Sequence, residues 1–281
     1  MEAARPSRTA LRVAMRRAAH QLYDTPPLVF DDPVAVAILG LEYLPEVERT
    51  QFKLSKPFSI SLRAHMVARS RYAEDLLARA VSQGVDQYVL LGAGLDTFAY
   101  RNPFSNVHVF EIDHPATQQW KRELLAANNI SIPQSLTYVP IDFEHQRLSE
   151  QLTAAGFDSA RPAFFAWLGV VPYLTEDAFR STLSLIASSP AGSGVVMDYG
   201  QPRSALPHLE QLAHDSLASR VQLAGEPFQL FFTPPKMAAE LSAFRSIEDL
   251  GSEQINAHYF ANREDGLKLR GTSSRIVSAW V

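Results

Sequence analysis

Apolar and polar positions along the chain follow two different periods. Short apolar or alternating runs bounded by turn residues read as strands: YVLL from Tyr88, VHVFEID ending at Asp113, LTYVPI at 136–141, AFFAWL at 163–168, GVVMDY at 194–199, FRSIEDL at 244–250, and the closing SRIVSAWV. Between them the apolar spacing changes to that of helices, over 115–128, 144–155, 176–188, 206–223 and 234–243. Strands alternating with helices predict an α/β fold with a mostly parallel, seven-stranded sheet covered by helices on both faces.

Terminal signals sharpen two of these helices. Thr175 is placed to cap the helix opened by Glu176 and Asp177, with Leu174 and Phe179 at the positions of a hydrophobic staple. Thr233 followed by Pro234 repeats the pattern of a capping hydroxyl before proline.

The N-terminal third carries no strand. Over 8–22, Leu11, Met15, Ala18, Ala19 and Leu22 share one helical face, while Arg8, Arg12 and Arg16 share another. The basic face reads first as a solvated surface over the core, and second as a lid closing on an anionic group. Asp31 or Asp32 with Pro33 starts a short helix, and 63–81 forms another whose buried face holds Ala73, Leu76, Leu77 and Ala80. The whole, 1–281, reads as one domain: a helical lid over 1–65, then a core over 66–281 with a substrate-side insertion near 201–243.

Composition narrows the chemistry. With 281 residues, 46% hydrophobic content and a net charge of −4, one large domain is expected and nucleic acid is disfavoured as a partner. No apolar run reaches the roughly 18 residues of a membrane span, and the basic start lacks a signal-peptide core, so a cytoplasmic protein is expected. Cysteine is absent, which excludes thiolate nucleophiles and Cys-type metal sites. The eight histidines include no HExxH, and no metal is expected.

The first strand runs into Gly92, Ala93 and Gly94, and the next ends in Glu111 and Asp113. A glycine turn lets backbone approach a nucleotide, and an acid closing the following strand can accept from both ribose hydroxyls. A dinucleotide fingerprint wants a third glycine where Thr97 stands. The same turn and acid serve S-adenosylmethionine, which has no pyrophosphate, so a methyltransferase and an NAD(P)-dependent oxidoreductase both remain open here. Just upstream, Arg69 could clamp a cofactor carboxylate, while Arg71 and Asp75 read as a surface pair.

The ordered set ARSRYAEDLL, VLLGAGLDTFAYR, FEIDHPATQQWK, PIDF and WLGVVPYLT resembles the leucine carboxyl methyltransferase-like family of class I S-adenosylmethionine-dependent methyltransferases, in particular its bacterial O-methyltransferase branch. The resemblance covers nearly the whole chain and implies a Rossmann-like sheet with S-adenosyl-L-methionine as cofactor. It implies further that Arg69 holds the methionine carboxylate, that Gly92 to Gly94 lie beneath the cofactor, and that Asp113 binds it with Glu111 as companion. Asp142 and Phe143 would frame the adenine, and Arg17 would reach the same carboxylate as Arg69. Where the family often carries a glutamate, this chain has Leu168, which points away from peptide-carboxylate methylation and toward a small-molecule acceptor.

Methyl transfer is an in-line displacement, so the protein chiefly aligns the reactants and excludes water. A carboxylate acceptor needs no base; a phenol or alcohol benefits from one, and Tyr173, Tyr199, His258 and His145 are candidates. The acceptor is expected over the ends of the fourth and fifth strands, near 169–173 and 198–201, with Phe228, Phe231 and Phe232 lining the pocket or packing a loop. A serine hydrolase fails on context, because Gly192-Ser193-Gly194 precedes a strand. A non-catalytic cofactor-binding protein remains the third alternative.

Overall fold

The computed structural model describes residues 7–49, 55–142 and 146–281. Its seven strands are β1 (Gln87–Leu91), β2 (His108–Asp113), β3 (Leu136–Pro140), β4 (Phe164–Trp167), β5 (Gly194–Gly200), β6 (Ser246–Leu250) and β7 (Ser274–Trp280), arranged β3-β2-β1-β4-β5-β7-β6. Every pairing among β1 to β5 is parallel, whereas β7 runs antiparallel to both β5 and β6. The sheet is thus mostly parallel, as expected. Its strand order reverses between β1 and β4, the switch point at which open α/β sheets form a ligand crevice beyond the carboxyl ends of the strands.

Period-2 alternation sends neighbouring side chains to opposite cores. Tyr88 and Leu90 of β1, Phe164 and Ala166 of β4, and Val196 of β5 face helix α4 (Pro57–Ser82), against its Ala68, Ala73, Leu76 and Leu77. Val89 and Leu91, Phe165 and Trp167, and Val195 and Met197 face the other way. There they pack on α6 (Leu148–Ala154), α7 (Glu176–Ala187) and α9 (Pro234–Glu240). A third cluster joins α1 (Arg8–Tyr23), α2 (Val34–Ala37) and α3 (Gly40–Arg49) to α5 (Pro115–Ala127). Two helices complete the set: α8 (His208–Leu223) and α10 (Ser252–Tyr259). Among the described residues, no helix is long and apolar enough to cross a membrane.

Several boundaries differ from those read off the sequence. Helix α4 starts at Pro57, not near 63, because proline suits a first turn, and it runs on through position 65, where the lid was expected to end. Helix α6 starts at Leu148 rather than 144, and α9 stops at Glu240 rather than 243. Helices α3 and α10 went unread: α3 contains Pro45 and leaves Leu41 94% exposed, so neither its composition nor its apolar spacing advertises a helix. The Thr175 cap forms, accepting the Ala178 N–H at 3.3 Å.

Candidate active site

Beyond β1 the chain turns through Gly92 and Gly94, with φ of +67° and +50°. A Cβ on Gly92 would collide with Val170 Cγ2 at 2.4 Å, and one on Gly94 would press on Ala10 Cβ of α1 at 3.0 Å. Glycine therefore lets the turn pass beneath both the loop after β4 and the first turns of α1. Asp113, closing β2, is fastened to this turn. Its Oδ2 accepts the Gly94 N–H at 2.6 Å and its Oδ1 the His114 N–H at 2.7 Å. Burial pushes its carboxyl above the ordinary range, opposed by those two N–H groups. Asp142 follows β3 and exchanges backbone contacts with Gln146, whose Oε1 accepts its N–H at 2.9 Å. Gly92, Ala93, Gly94, Asp113 and Asp142 thus stand at the carboxyl ends of β1 to β3; Phe143 and His145 lie outside the described residues.

Two expected cofactor residues sit elsewhere. Glu111 lies one pleat below Asp113, fully buried, with Oε2 2.7 Å from Lys121 Nζ and Oε1 without a hydrogen-bond partner. Burial pushes its carboxyl up to about 7, against the pull of Lys121. It is an interior ion pair and does not reach the strand edge. Arg17 is also internal. Its Nη2 donates to Asp32 Oδ2 at 2.5 Å and to Thr97 Oγ1 at 2.8 Å, and its Nη1 donates to Asp96 Oδ2 at 3.0 Å. Asp32 caps α2 as expected, accepting the Ala35 N–H at 3.2 Å, and also accepts the Thr97 hydroxyl. Arg17 therefore ties α1 to the loop following the glycine turn.

Arg69 lies in the middle of α4 and is 5% exposed. Its Nη1 donates to Asp198 Oδ2 at 2.7 Å, and His65 Nε2, one turn earlier, stands 3.2 Å from the same oxygen. Asp198 Oδ1 accepts the Gly169 N–H at 2.5 Å. Burial alone would raise the Asp198 carboxyl, but Arg69, His65 and the Gly169 N–H prevail and hold it well below the ordinary carboxylate range. An ionised carboxylate only accepts, so His65 Nε2 carries the proton in this contact. Its Nδ1 is buried and without a hydrogen-bond partner.

These groups line a cavity of about 700 Å³ bounded by α1, α4, α8, the turn at Val171–Tyr173 and the stretch 225–232. Phe58, Met66, Tyr173, Leu217, Phe228 and Phe231 supply apolar wall. Phe232 points the other way, 4.9 Å from Phe179 in the core, so the aromatic stretch does both things expected of it. Tyr173 faces the cavity, its hydroxyl pushed up to about 12 by burial. Tyr199 borders it too, but its hydroxyl donates to Asp249 Oδ2 at 2.7 Å. His258 is exposed on α10, away from the cavity.

The cavity residues not read as site residues include His65, His214 and Arg220. His65 and Arg69 stand at i,i+4, a spacing that could have placed both on one face of α4. The arginine face of α1, read first as solvated, turns Arg12 and Arg16 into the cavity and leaves Arg8 exposed. Among the described residues, no three or more His, Asp or Glu side chains gather as metal ligands.

The family model described as leucine carboxyl methyltransferase matches residues 10–187. YktD of Bacillus subtilis, named a candidate S-adenosyl-L-methionine-dependent methyltransferase, is 32% identical over 286 residues, covering 93% of each chain. A Mycobacteroides abscessus protein of the same description is 32% identical over 206 residues, covering 72% of this chain and 67% of its own. Among solved structures, a candidate methyltransferase from Thermobifida fusca superposes with a TM-score of 0.59 at 17% identity, covering 98% and 95% of the two chains. A DUF574 family protein from Streptomyces avermitilis gives 0.55 at 20%, covering 87% and 94%. Both share the fold.

Proposed function

The chain belongs to the leucine carboxyl methyltransferase family of S-adenosylmethionine-dependent methyltransferases, and from that premise we propose that it methylates an oxygen of a small molecule, a hydroxyl rather than a carboxylate. The observation that carries this reading is His65, which lines the cavity with Nδ1 buried and without a hydrogen-bond partner while Asp198 fixes its ring.

The residues suit the cofactor. The glycine turn lets backbone come close, Asp113 offers a carboxylate for the ribose hydroxyls, and Asp142 follows β3 on the adenine side. Arg69 would take the methionine carboxylate with the donors it does not spend on Asp198. Bound S-adenosylmethionine supplies an electrophilic methyl group on a sulfonium. The protein's part is to align an oxygen with that carbon and to keep water out, for which α1 and the aromatic wall of the cavity are placed.

A carboxylate acceptor is already ionised and would leave the His65 base without work; a hydroxyl gives its proton to Nδ1 as the oxygen attacks. Asp198 stays ionised and stabilises the imidazolium so formed. Leu168 leaves this chain without the family's usual glutamate, and Asp198 brings a carboxylate to the neighbouring Gly169 instead. A cavity of about 700 Å³ matches a small molecule. The nicotinamide reading loses support because Thr97, at the third glycine position, is 1% exposed and bonded to Asp32 and Arg17.

The test is S-adenosylhomocysteine release across a panel of phenols and their carboxylic-acid analogues. Phenol turnover is expected, with His65→Gln lowering kcat by roughly 10²–10⁴ at nearly constant KM. Preferential turnover of the acids, or an unchanged kcat in His65→Gln, would remove the hydroxyl assignment. Cofactor binding with no turnover on any acceptor would favour a non-catalytic protein.

A further inference from the structure

Among the described residues, cations outnumber carboxylates in the lining of the cavity. Arg12 and Arg16 of α1 and Arg220 of α8 all line it. Their hydrogen bonds go to neutral groups: Arg16 Nη1 to the Arg12 carbonyl at 3.0 Å, Arg12 Nη1 to the Arg220 carbonyl at 3.5 Å, and Arg220 Nε to the Ser216 carbonyl at 3.0 Å. Among the described residues none of the three meets a carboxylate. Two carboxylates line the cavity: Asp198 is paired with Arg69, and Glu210, which accepts from the N–H and hydroxyl of Thr272, offsets one positive charge and leaves the cations in excess. Burial, and then the charges of Arg12 and Arg220, push the Arg16 guanidinium down to about 10. Clustered cations facing an apolar space are an arrangement that an anion relieves.

We infer that the acceptor is an acidic amphipathic molecule, an aromatic or aliphatic body lying against Phe58, Phe228 and Phe231 with a carboxylate, sulfonate or phosphate held by Arg12, Arg16 and Arg220. The inference rests on the methyltransferase reading, and it makes the acid a handle rather than the methylated group. Guanidinium contacts stabilise an anion in the ground state and would blunt it as a nucleophile, whereas a hydroxyl presented to His65 keeps its reactivity. The apolar body supplies burial and the arginines select the charged end.

A matched pair of fluorescent probes tests this on the full-length protein: 1-anilinonaphthalene-8-sulfonate, and N-phenyl-1-naphthylamine, which has the same body without the sulfonate. The sulfonate is expected to bind at least about tenfold more tightly, corresponding to roughly 1.4 kcal/mol. Arg16→Met and Arg12→Met/Arg220→Met should each erase most of that preference while leaving the neutral probe's Kd within about twofold. Equal binding of the two probes by the wild type would overturn the inference. So would an Arg16→Met variant that loses S-adenosylhomocysteine affinity and keeps the sulfonate preference, because Arg16 would then serve the cofactor carboxylate. Titration of the wild type with S-adenosylhomocysteine alone reports separately on the methyltransferase reading: silence there with intact probe selectivity would sink that reading and leave the anion site standing.

Discussion

Arg69 on α4 and Asp198 on β5 form a buried pair at 2.7 Å across 129 residues of sequence, and the same carboxylate collects His65 and the Gly169 N–H. One acid therefore joins the helix of the first core cluster to the carboxyl ends of two neighbouring strands, directly beside the cavity.

Removing one partner strands the other. Asp198→Ala should destabilise the fold by about 3–5 kcal/mol, and the combined Arg69→Met/Asp198→Leu by much less, since no uncompensated charge remains. Urea unfolding of the three proteins reads this directly; a double variant as unstable as Asp198→Ala would assign the loss to packing.

The depressed Asp198 carboxyl also fixes a pH dependence. Its contribution to stability is complete above its ordinary value of 3.8 and is lost as the pH falls below that toward the folded value. Between about pH 5 and 3, wild-type stability should fall more steeply than that of the Arg69→Met/Asp198→Leu protein, which urea midpoints at each pH would measure.

Gly169 has φ of +72°, and a Cβ there would stand 2.7 Å from Arg69 Nη2. Gly169→Ala should cost about 1–3 kcal/mol in backbone strain and displace the guanidinium as well. The expected result is a lower Tm together with weaker S-adenosylmethionine binding; a fall in Tm alone would separate Arg69 from the cofactor.

Asp113→Ala should weaken S-adenosylhomocysteine by about 1.5–3 kcal/mol for each charge-assisted hydrogen bond lost, roughly ten- to a hundredfold per bond. It also frees the Gly94 N–H, so calorimetric titration belongs beside a melting curve. Unchanged affinity would take Asp113 out of the site.

Arg16 is expected to trade stability for binding. A cation whose folded pKa lies below its unfolded value of 12.5 loses stability as the pH falls through about 10, so at neutral pH its charge opposes folding. Arg16→Met should raise stability by on the order of 1 kcal/mol, well short of the full shift because the cavity side stays in contact with water. A destabilised variant, read in urea, would mean that the aliphatic stem matters more than the charge.

Local periodicity made the sheet legible. Seven runs of apolar residues became seven strands, and the glycine turn and Asp113 met because β1 and β2, consecutive in sequence, pair in parallel side by side. Glu111 and Arg17 could not be placed this way. An acid two residues from Asp113 shares its face but not its depth, and Lys121 one helix later is what holds it inside. Arg17 follows Arg16 in sequence, yet a helix turns successive residues by about 100°, which carries one guanidinium to Asp32 and the other to the cavity.

By itself, the sequence determined the class of fold, the family and the cofactor turn, because these depend on residue spacing within single elements and on motifs a few residues long. Tertiary structure alone decided what each face meets. The His65–Asp198–Arg69 constellation, the commitment of the Tyr199 hydroxyl to Asp249, the exclusion of His258 and the excess positive charge of Arg12, Arg16 and Arg220 all arise between residues far apart in the chain. Helical spacing states that residues share a side; only packing states whether that side faces water, core or cavity.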